Sequence, residues 1–150
     1  MDKIVFITGA SSGIGAGCAR KFASQGASLI LNARNVNKLS ALKEELEKQY
    51  GAKIYLLPFD VRDRKAATSA LESLPKEWQS IDILVNNAGL VIGTDKEQEG
   101  SLDEWDIVID TNIKALLAMT RLIVPGMVER KRGHIINIGS IAGDAAYPGG

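Results

Sequence analysis

The sequence has very few of the residues that build disulfide frameworks or metal sites. Its 150 residues include one cysteine, Cys18, and one histidine, His134. A single cysteine cannot form a disulfide within the chain, and one histidine with one cysteine gives little support to a metal centre. We therefore expect no bound metal, and this cysteine usage favours a cytoplasmic protein.

The sequence also lacks an excess of charge of either sign and a long apolar run. Lys and Arg total 18, and so do Asp and Glu. Nothing therefore indicates the basic surface that nucleic acids and anionic membranes attract. The amino-terminal stretch MDKIVFITG is interrupted by polar residues too soon for a signal peptide or a membrane span. We expect neither a nucleic-acid partner nor a membrane partner.

Short apolar runs alternate along the chain with segments of helical period. Five such runs are bounded by Gly, Asn, Asp or Pro, as in strands covered on both faces: residues 4–7, 29–31, 54–59, 81–85 and 135–138. No linker, repeat or low-complexity tract divides them. We therefore predict one domain over residues 1–150, with a Rossmann-like, doubly wound α/β fold and a parallel sheet in strand order 3-2-1-4-5.

Four helices are predicted between these strands. The third spans Asp63–Leu74, where Pro75 ends it. The fourth begins with a capping box at Ser101 and continues to Gly133, with a bend caused by Pro125. The glycines expected to terminate the first two helices are Gly26 and Gly51.

The first strand runs directly into a glycine-rich turn, TGASSGIG at residues 8–15. Glycines permit a tight turn and leave room for a pyrophosphate, while a helix amino terminus offers free N–H groups and positive charge to the anion. The turn lacks the Gly-Lys-Ser/Thr of an ATP or GTP loop, so we predict a dinucleotide. The alternative is a glycine-rich turn without a ligand. The predicted contacts are Gly9, Ser11, Ser12, Gly13, Ile14 and Gly15.

The end of the second strand indicates which dinucleotide binds. An NAD site usually has an acidic residue there, whereas the 2′-phosphate of NADP needs a cation. The chain has Ala33-Arg34, so we predict NADP, with Arg34 binding the phosphate and Ser11 as a second contact. Alternatively, Arg34 is a solvated loop residue. Asp60 and Val61 either hold and cover the adenine, or Asp60 accepts backbone N–H groups in the turn before the third helix.

Four segments, in order and spacing, resemble motifs of the short-chain dehydrogenase/reductase family: TGASSGIG, NNAG at 86–89, DTNI at 110–113 and HIINIGS at 134–140. SLPKEWQSIDILVNNAGLVIGTD and GSIAGDAAYPGG further resemble its NADP-dependent serine and 3-hydroxy-acid dehydrogenases. The resemblance covers all 150 residues. It implies an enzyme that moves a hydride between NADP and a small-molecule substrate, a hydroxy acid or related alcohol or carbonyl compound, and that forms a homodimer or homotetramer.

The resemblance also implies roles for particular residues. Asn87, Ala88 and Gly89 would let the backbone approach the adenosine half of the cofactor. Asn112 would distort its helix and help to hold a water of the proton relay, and asparagine is otherwise unfavourable within a helix. Ser140 would hydrogen-bond the substrate oxygen at the carboxyl end of the fifth strand. The alternative for Ser140 is a cap of a helix or turn.

The family's proton donor is a tyrosine followed four residues later by a lysine, whose charge lowers the tyrosine pKa. Tyr147 is followed by Pro148-Gly149-Gly150, which favours a turn over a helix, so we interpret it as a packing or substrate-loop residue. The fifth strand would also leave an uncovered edge. We therefore expect the tyrosine and lysine to lie beyond Gly150, the C-terminal part of the domain to be missing, and residues 1–150 to bind NADP without turnover. The alternatives are a non-catalytic NADP-binding or interaction module that ends at Gly150 and, disfavoured by the glycine spacing, a sugar-nucleotide epimerase.

Overall fold

The computed structural model describes residues 3–93 and 95–145, which contain one five-stranded parallel sheet. Its strands are β1 (Ile4–Ile7), β2 (Ser28–Leu31), β3 (Ile54–Leu56), β4 (Ile81–Asn86) and β5 (His134–Asn137). Their order is β3-β2-β1-β4-β5, and every neighbouring pair is parallel. The predicted Rossmann-like architecture and strand order are confirmed.

Five α-helices connect or flank these strands in the described part of the chain: α1 (Gly13–Ser24), α2 (Val36–Tyr50), α3 (Arg64–Glu72), α4 (Leu102–Ile109) and α5 (Leu116–Glu129). A π-helical segment, Asp110–Ala115, joins α4 to α5. Short 3-10 turns lie at Lys76–Trp78, Glu97–Glu99 and Ile141–Gly143. None of the helices in the described ranges combines the length and the apolar character that crossing a membrane requires.

The central strand β1 shows how the helices cover both faces of the sheet. Successive side chains of a strand point to opposite faces. Val5 and Ile7 accordingly belong to the apolar cluster that includes residues of α1 and α2, whereas Phe6 belongs to the cluster that includes residues of α3 and α5. All three side chains are fully buried. The carboxyl end of this fully covered strand leads into the glycine-rich turn.

Strand β3 is shorter than predicted, because it ends at Leu56 rather than at Phe59. Pro58 has no N–H to donate to a strand ladder. The fully buried Asn32 side chain instead donates to the carbonyl oxygens of Leu57 and Phe59, at 3.0 and 3.1 Å. The apolar run continues into the core without continuing as a strand.

Glycine ends the first two helices as predicted: Gly51 has φ 62° at the C-cap of α2, and Gly26, after α1, has φ 76°. The prediction for Gly133 is wrong. Lys131 adopts the left-handed conformation after α5, with φ 52°. Gly133 has another reason to be glycine, since a Cβ there would lie 2.5 Å from the side chain of Met127.

The fourth predicted helix starts where expected, since Ser101 Oγ accepts from the backbone N–H of Glu104 at 3.4 Å. It is not one continuous α-helix, because residues 110–115 are π-helical. Pro125 lies inside α5. The third predicted helix ends at Glu72 rather than at Leu74. These differences leave the topology unchanged, but the π-helical segment lies beside the predicted site.

Candidate cofactor and catalytic site

The turn after β1 requires glycine at three positions, for a different reason at each. Gly9 has φ 63°, and a Cβ there would lie 2.9 Å from Ala88 Cα. Gly15, in the first turn of α1, would place a Cβ 2.4 Å from the Gly9 carbonyl oxygen. Gly13 has φ 53°, but no atom lies within 4 Å of its hypothetical Cβ. Packing thus requires Gly9 and Gly15, whereas Gly13 faces open space that a ligand can occupy.

The amino end of α1 is available to an anion. Ser12 is the N-cap residue in extended conformation, and its side chain makes no capping hydrogen bond. The first turn contains no acidic residue. Ser11 is half-buried, and Ile14 is 62% exposed. The positive end of this helix therefore has no carboxylate in its first turn to neutralise it.

Thr8 and Asn87 fix the turn against the end of β4. Thr8 Oγ1 accepts the backbone N–H groups of Asn87 and Ala88, each at 3.0 Å. The Asn87 amide donates to the carbonyl oxygens of Thr8 and Gly9, at 2.9 and 3.1 Å. Sequence reasoning did not assign Thr8. The sequence feature that could have identified it is a threonine at the end of an apolar strand. In the structure Thr8 is only 2% exposed.

Arg34 follows β2 at the same edge of the sheet. Its side chain is 67% exposed, and its Nη1 lies 3.9 Å from Asp60 Oδ2. The next residue, Asn35, is the N-cap of α2 and accepts from the Lys38 N–H at 3.0 Å. A solvated cation thus stands directly before a helix amino terminus, and both attract negative charge.

Asp60 is held by Arg62, a residue that sequence reasoning did not assign. Arg62 donates to the Asp60 carboxylate from its backbone N–H at 3.0 Å and from Nη2 at 2.7 Å. The guanidinium hydrogen bond lowers the pKa of Asp60, although partial burial opposes this shift. These contacts match the backbone-capping alternative, and the adenine contact remains a prediction. Val61 is 7% exposed and packs in the apolar core, so its cofactor contact also remains a prediction.

Asn112 lies in the π-helical segment and bridges it to the loop after NNAG. Its Oδ1 accepts from the Leu90 N–H at 2.9 Å, and its Nδ2 donates to the Leu90 carbonyl oxygen at 2.7 Å. A Cβ on Gly89 would lie 3.3 Å from Asn112 Oδ1. The helix is therefore irregular at the residue for which a distortion was expected. The water and the proton relay remain predictions.

Ser140 follows β5 at the same edge of the sheet as NNAG, because Asn137 pairs with Asn86 in the strand register. The Asn86 amide also donates to Asn137 Oδ1 at 2.9 Å. Ser140 Oγ accepts from the backbone N–H of Ala142 at 3.1 Å. The capping alternative thus describes this hydroxyl as it stands, and its substrate contact remains a prediction. Tyr147 lies outside the described residues.

The part of the chain that the structure describes contains no group of three or more His, Cys, Asp and Glu side chains that could hold a metal ion.

A parallel sheet in this order, with a glycine-rich turn at its central strand, defines a dinucleotide-binding class of fold. The sequence model described as "short chain dehydrogenase" matches residues 3–150. The chain belongs to the short-chain dehydrogenase family. It is 49% identical over 147 residues to the NADP-dependent 3-hydroxy acid dehydrogenase YdfG of Escherichia coli (strain K12), a match that covers 98% of this chain and 58% of that relative.

Solved structures agree with this assignment. A serine dehydrogenase from Escherichia coli is 49% identical with a TM-score of 0.91, over 97% of this chain and 66% of that one. A closed form of serine dehydrogenase complexed with NADP+ is 48% identical with a TM-score of 0.90, over 98% and 58%. The predicted resemblance to this branch is confirmed. The chain spans 58% of the length of the YdfG relative.

Proposed function

We propose that the chain binds NADP(H) as part of an oxidoreductase that transfers a hydride between nicotinamide and a small hydroxy acid or a related alcohol or carbonyl compound. The observation that carries the proposal is the exposed Arg34 at the end of β2, where an NAD site would usually have a carboxylate. Relatives with 49% and 48% identity carry NADP in their names or are complexed with it.

The residues around the glycine-rich turn fit a dinucleotide. Open space at Gly13 and the uncompensated amino end of α1 suit the pyrophosphate. The Ser12 hydroxyl makes no capping hydrogen bond and can donate to a phosphate oxygen. Thr8 holds the Ala88 backbone N–H, and Asn112 holds the backbone of Leu90, so the NNAG loop is fixed beside the turn. The bound cofactor would supply or accept the hydride.

Ser140 and Asn112 are the residues to which we assign roles in the chemistry. Ser140 Oγ accepts one hydrogen bond from Ala142, so its own proton remains available for the substrate oxygen, where charge develops during the reaction. Asn112 holds the loop at Leu90 with both atoms of its amide. We assign it the additional task of orienting a water that relays the proton.

Proton exchange on the substrate oxygen is assigned to a tyrosine and lysine outside residues 1–150. Neither Tyr50 nor Tyr55 is followed four residues later by a lysine. The match to YdfG covers 58% of that relative, which supports this assignment. We therefore expect residues 1–150 alone to bind NADPH without turnover. A reading frame that continues into Tyr-x-x-x-Lys supports the enzyme, whereas a stop codon after Gly150 supports a non-catalytic NADP-binding module.

Titration of the chain with NADPH and with NADH, followed by cofactor fluorescence, tests the cofactor assignment. We expect NADPH to bind more tightly, and Arg34→Ala to remove most of this preference. Lys21→Ala removes one cation from the last turn of α1, away from the predicted phosphate, and serves as the charge-matched control. Equal affinities in the wild type, or an unchanged preference in Arg34→Ala, would refute the assignment. Turnover of small hydroxy acids by the protein from the complete reading frame then tests the reaction.

We also propose a cytoplasmic homodimer or homotetramer that associates through α5. Large apolar side chains are exposed on this helix, since Leu117 and Val128 are 60% and 68% exposed. Exposed apolar surface of this kind favours association. Leu117→Glu should lower the molecular mass measured by light scattering, whereas Val36→Glu, a half-exposed control on α2, should not. An unchanged mass for Leu117→Glu contradicts the interface.

A further inference from the structure

Asp60 lies between two arginines at the edge of the sheet where the 2′-phosphate is expected. The contacts are unequal. Arg62 contacts the carboxylate through Nε, at 3.1 and 3.2 Å from the two oxygens, and through Nη2 at 2.7 Å. Arg34 approaches only to 3.9 Å and makes no hydrogen bond to it. The carboxylate is thus hydrogen-bonded to Arg62, whereas the Arg34 side chain is exposed to solvent.

A carboxylate at this position has two consequences for a 2′-phosphate. It repels the phosphate, and it competes with the phosphate for the Arg34 guanidinium, whose Nη1 is 3.9 Å away. An aspartate is charged at neutral pH, and the hydrogen bonds from Arg62 lower the pKa of Asp60 further. NADP binding through Arg34 therefore requires that another cation hold and neutralise Asp60.

We propose that Arg62 is a positioning residue that sets the preference for NADPH over NADH by holding Asp60 and leaving Arg34 free for the 2′-phosphate. The proposal rests on the NADP assignment above. Arg62 does not need to contact the cofactor, because it acts through Asp60. Both side chains of the pair are about 30% exposed, at 31% and 29%, so solvent screens the pair less than a fully exposed one.

Local geometry supports a fixed pair. Arg62 binds Asp60 through its backbone N–H as well as through its guanidinium. The carboxylate therefore keeps a backbone contact when the guanidinium is removed. Asp110 also attracts Arg62, but it has its own partner, since its Oδ1 lies 2.7 Å from Lys114 Nζ. Replacing the Arg62 side chain should thus leave Asp60 near its position, with Arg34 as the cation to which it then binds.

The test compares variants of the whole chain by their dissociation constants for NADPH and NADH, measured by fluorescence. Arg62→Gln should raise the dissociation constant for NADPH about 5- to 10-fold and change the constant for NADH by less than about 2-fold. The double variant Arg62→Gln/Asp60→Asn should recover the wild-type ratio of the two constants, and Arg62→Lys should lie between. Any adenine contact of Asp60 affects both cofactors equally and cancels in this ratio.

Arg20→Gln is the matched control. Arg20 makes a two-hydrogen-bond ion pair with Glu45, at 2.6 and 2.8 Å, between α1 and α2. Its loss should leave the NADPH-to-NADH ratio unchanged. An unchanged ratio in Arg62→Gln, an equal loss for both cofactors, or no recovery in the double variant would overturn the proposal. Failure of the wild-type chain to bind either cofactor would instead refute the proposed function, and urea midpoints identify variants that do not fold.

Discussion

Two glycines of α1 provide a sharp test of how the glycine-rich turn packs. A Cβ on Gly15 would lie 2.4 Å from the Gly9 carbonyl oxygen and 2.5 Å from Asn87 Nδ2. A Cβ on Gly17 meets nothing within 4 Å, and Gly17 is exposed. Both residues lie in the same helix, so Gly15→Ala and Gly17→Ala share the gain in helix propensity. Only Gly15→Ala adds a clash, and part of it is with backbone.

The magnitude comes from the difference between these two effects. Alanine in place of an exposed helical glycine stabilises by about 0.5–1 kcal/mol. Overpacking costs about 1–3 kcal/mol, and a contact with the Gly9 carbonyl, which can move only with the turn, belongs at the upper end. We therefore expect Gly17→Ala to be slightly more stable than the wild type. Gly15→Ala should be less stable than Gly17→Ala by about 2–3 kcal/mol.

Urea unfolding of the two variants and the wild type measures this difference. A gap of about 2–3 kcal/mol corresponds to a shift in midpoint of about 1 M or more. Gly15→Ala should also bind NADPH more weakly, because the displaced Gly9 carbonyl and Asn87 amide belong to the turn that faces the cofactor. Equal unfolding midpoints for the two variants would refute the packing explanation.

Three further predictions concern the polar contacts around the sheet. Asn112→Ala should speed hydrogen exchange at the Leu90 amide and cost about 1–2 kcal/mol, because two hydrogen bonds are lost; unchanged exchange at Leu90 contradicts this. Asp82→Ala removes a 5% exposed carboxylate that accepts a β1 backbone N–H at 3.0 Å, so it should cost about 2–3 kcal/mol in urea unfolding. Arg132→Ala leaves this buried carboxylate without the cation 2.8 Å from its Oδ1, so it should also lower the free energy of unfolding by about 2–3 kcal/mol, and a loss below about 1 kcal/mol would argue against this account. The pKa of Asp60 is lowered in the folded state, so its contribution to stability is complete above the unfolded-state pKa near 4 and is lost as the pH falls below it. Between pH 5 and pH 2, Asp60→Asn should therefore lose less stability than the wild type, and parallel losses would contradict the assigned shift.

The sheet order could be predicted because alternating strands and helices with right-handed crossovers permit few arrangements. The end of β3 could not be predicted in this way. The apolar run to Phe59 contains Pro58, and the carbonyl oxygens around it are satisfied by Asn32, a partner far away in the sequence. Local apolar pattern therefore located the strand but not its end.

The candidate site could also be predicted only in part. The Gly9, Gly13 and Gly15 spacing was sufficient to locate the turn, because each reason for glycine is set by the backbone itself. The pairing of Arg62 with Asp60 was not predicted, because the order Asp60-Val61-Arg62 does not by itself show that the two charged side chains meet. Its pairing depends on the turn after β3, which points both side chains to one place.

The π-helical segment at residues 110–115 also limits which changes in length this protein can tolerate. The buried positions after it, Met119, Ile123 and Met127, face the sheet only because of the residue count that precedes them. Each residue added to or removed from a helix rotates the remainder of that helix by about 100°. A deletion that turned residues 110–115 into regular α-helix would rotate these three side chains away from the sheet. Relatives should therefore keep the length of this segment even where its side chains differ.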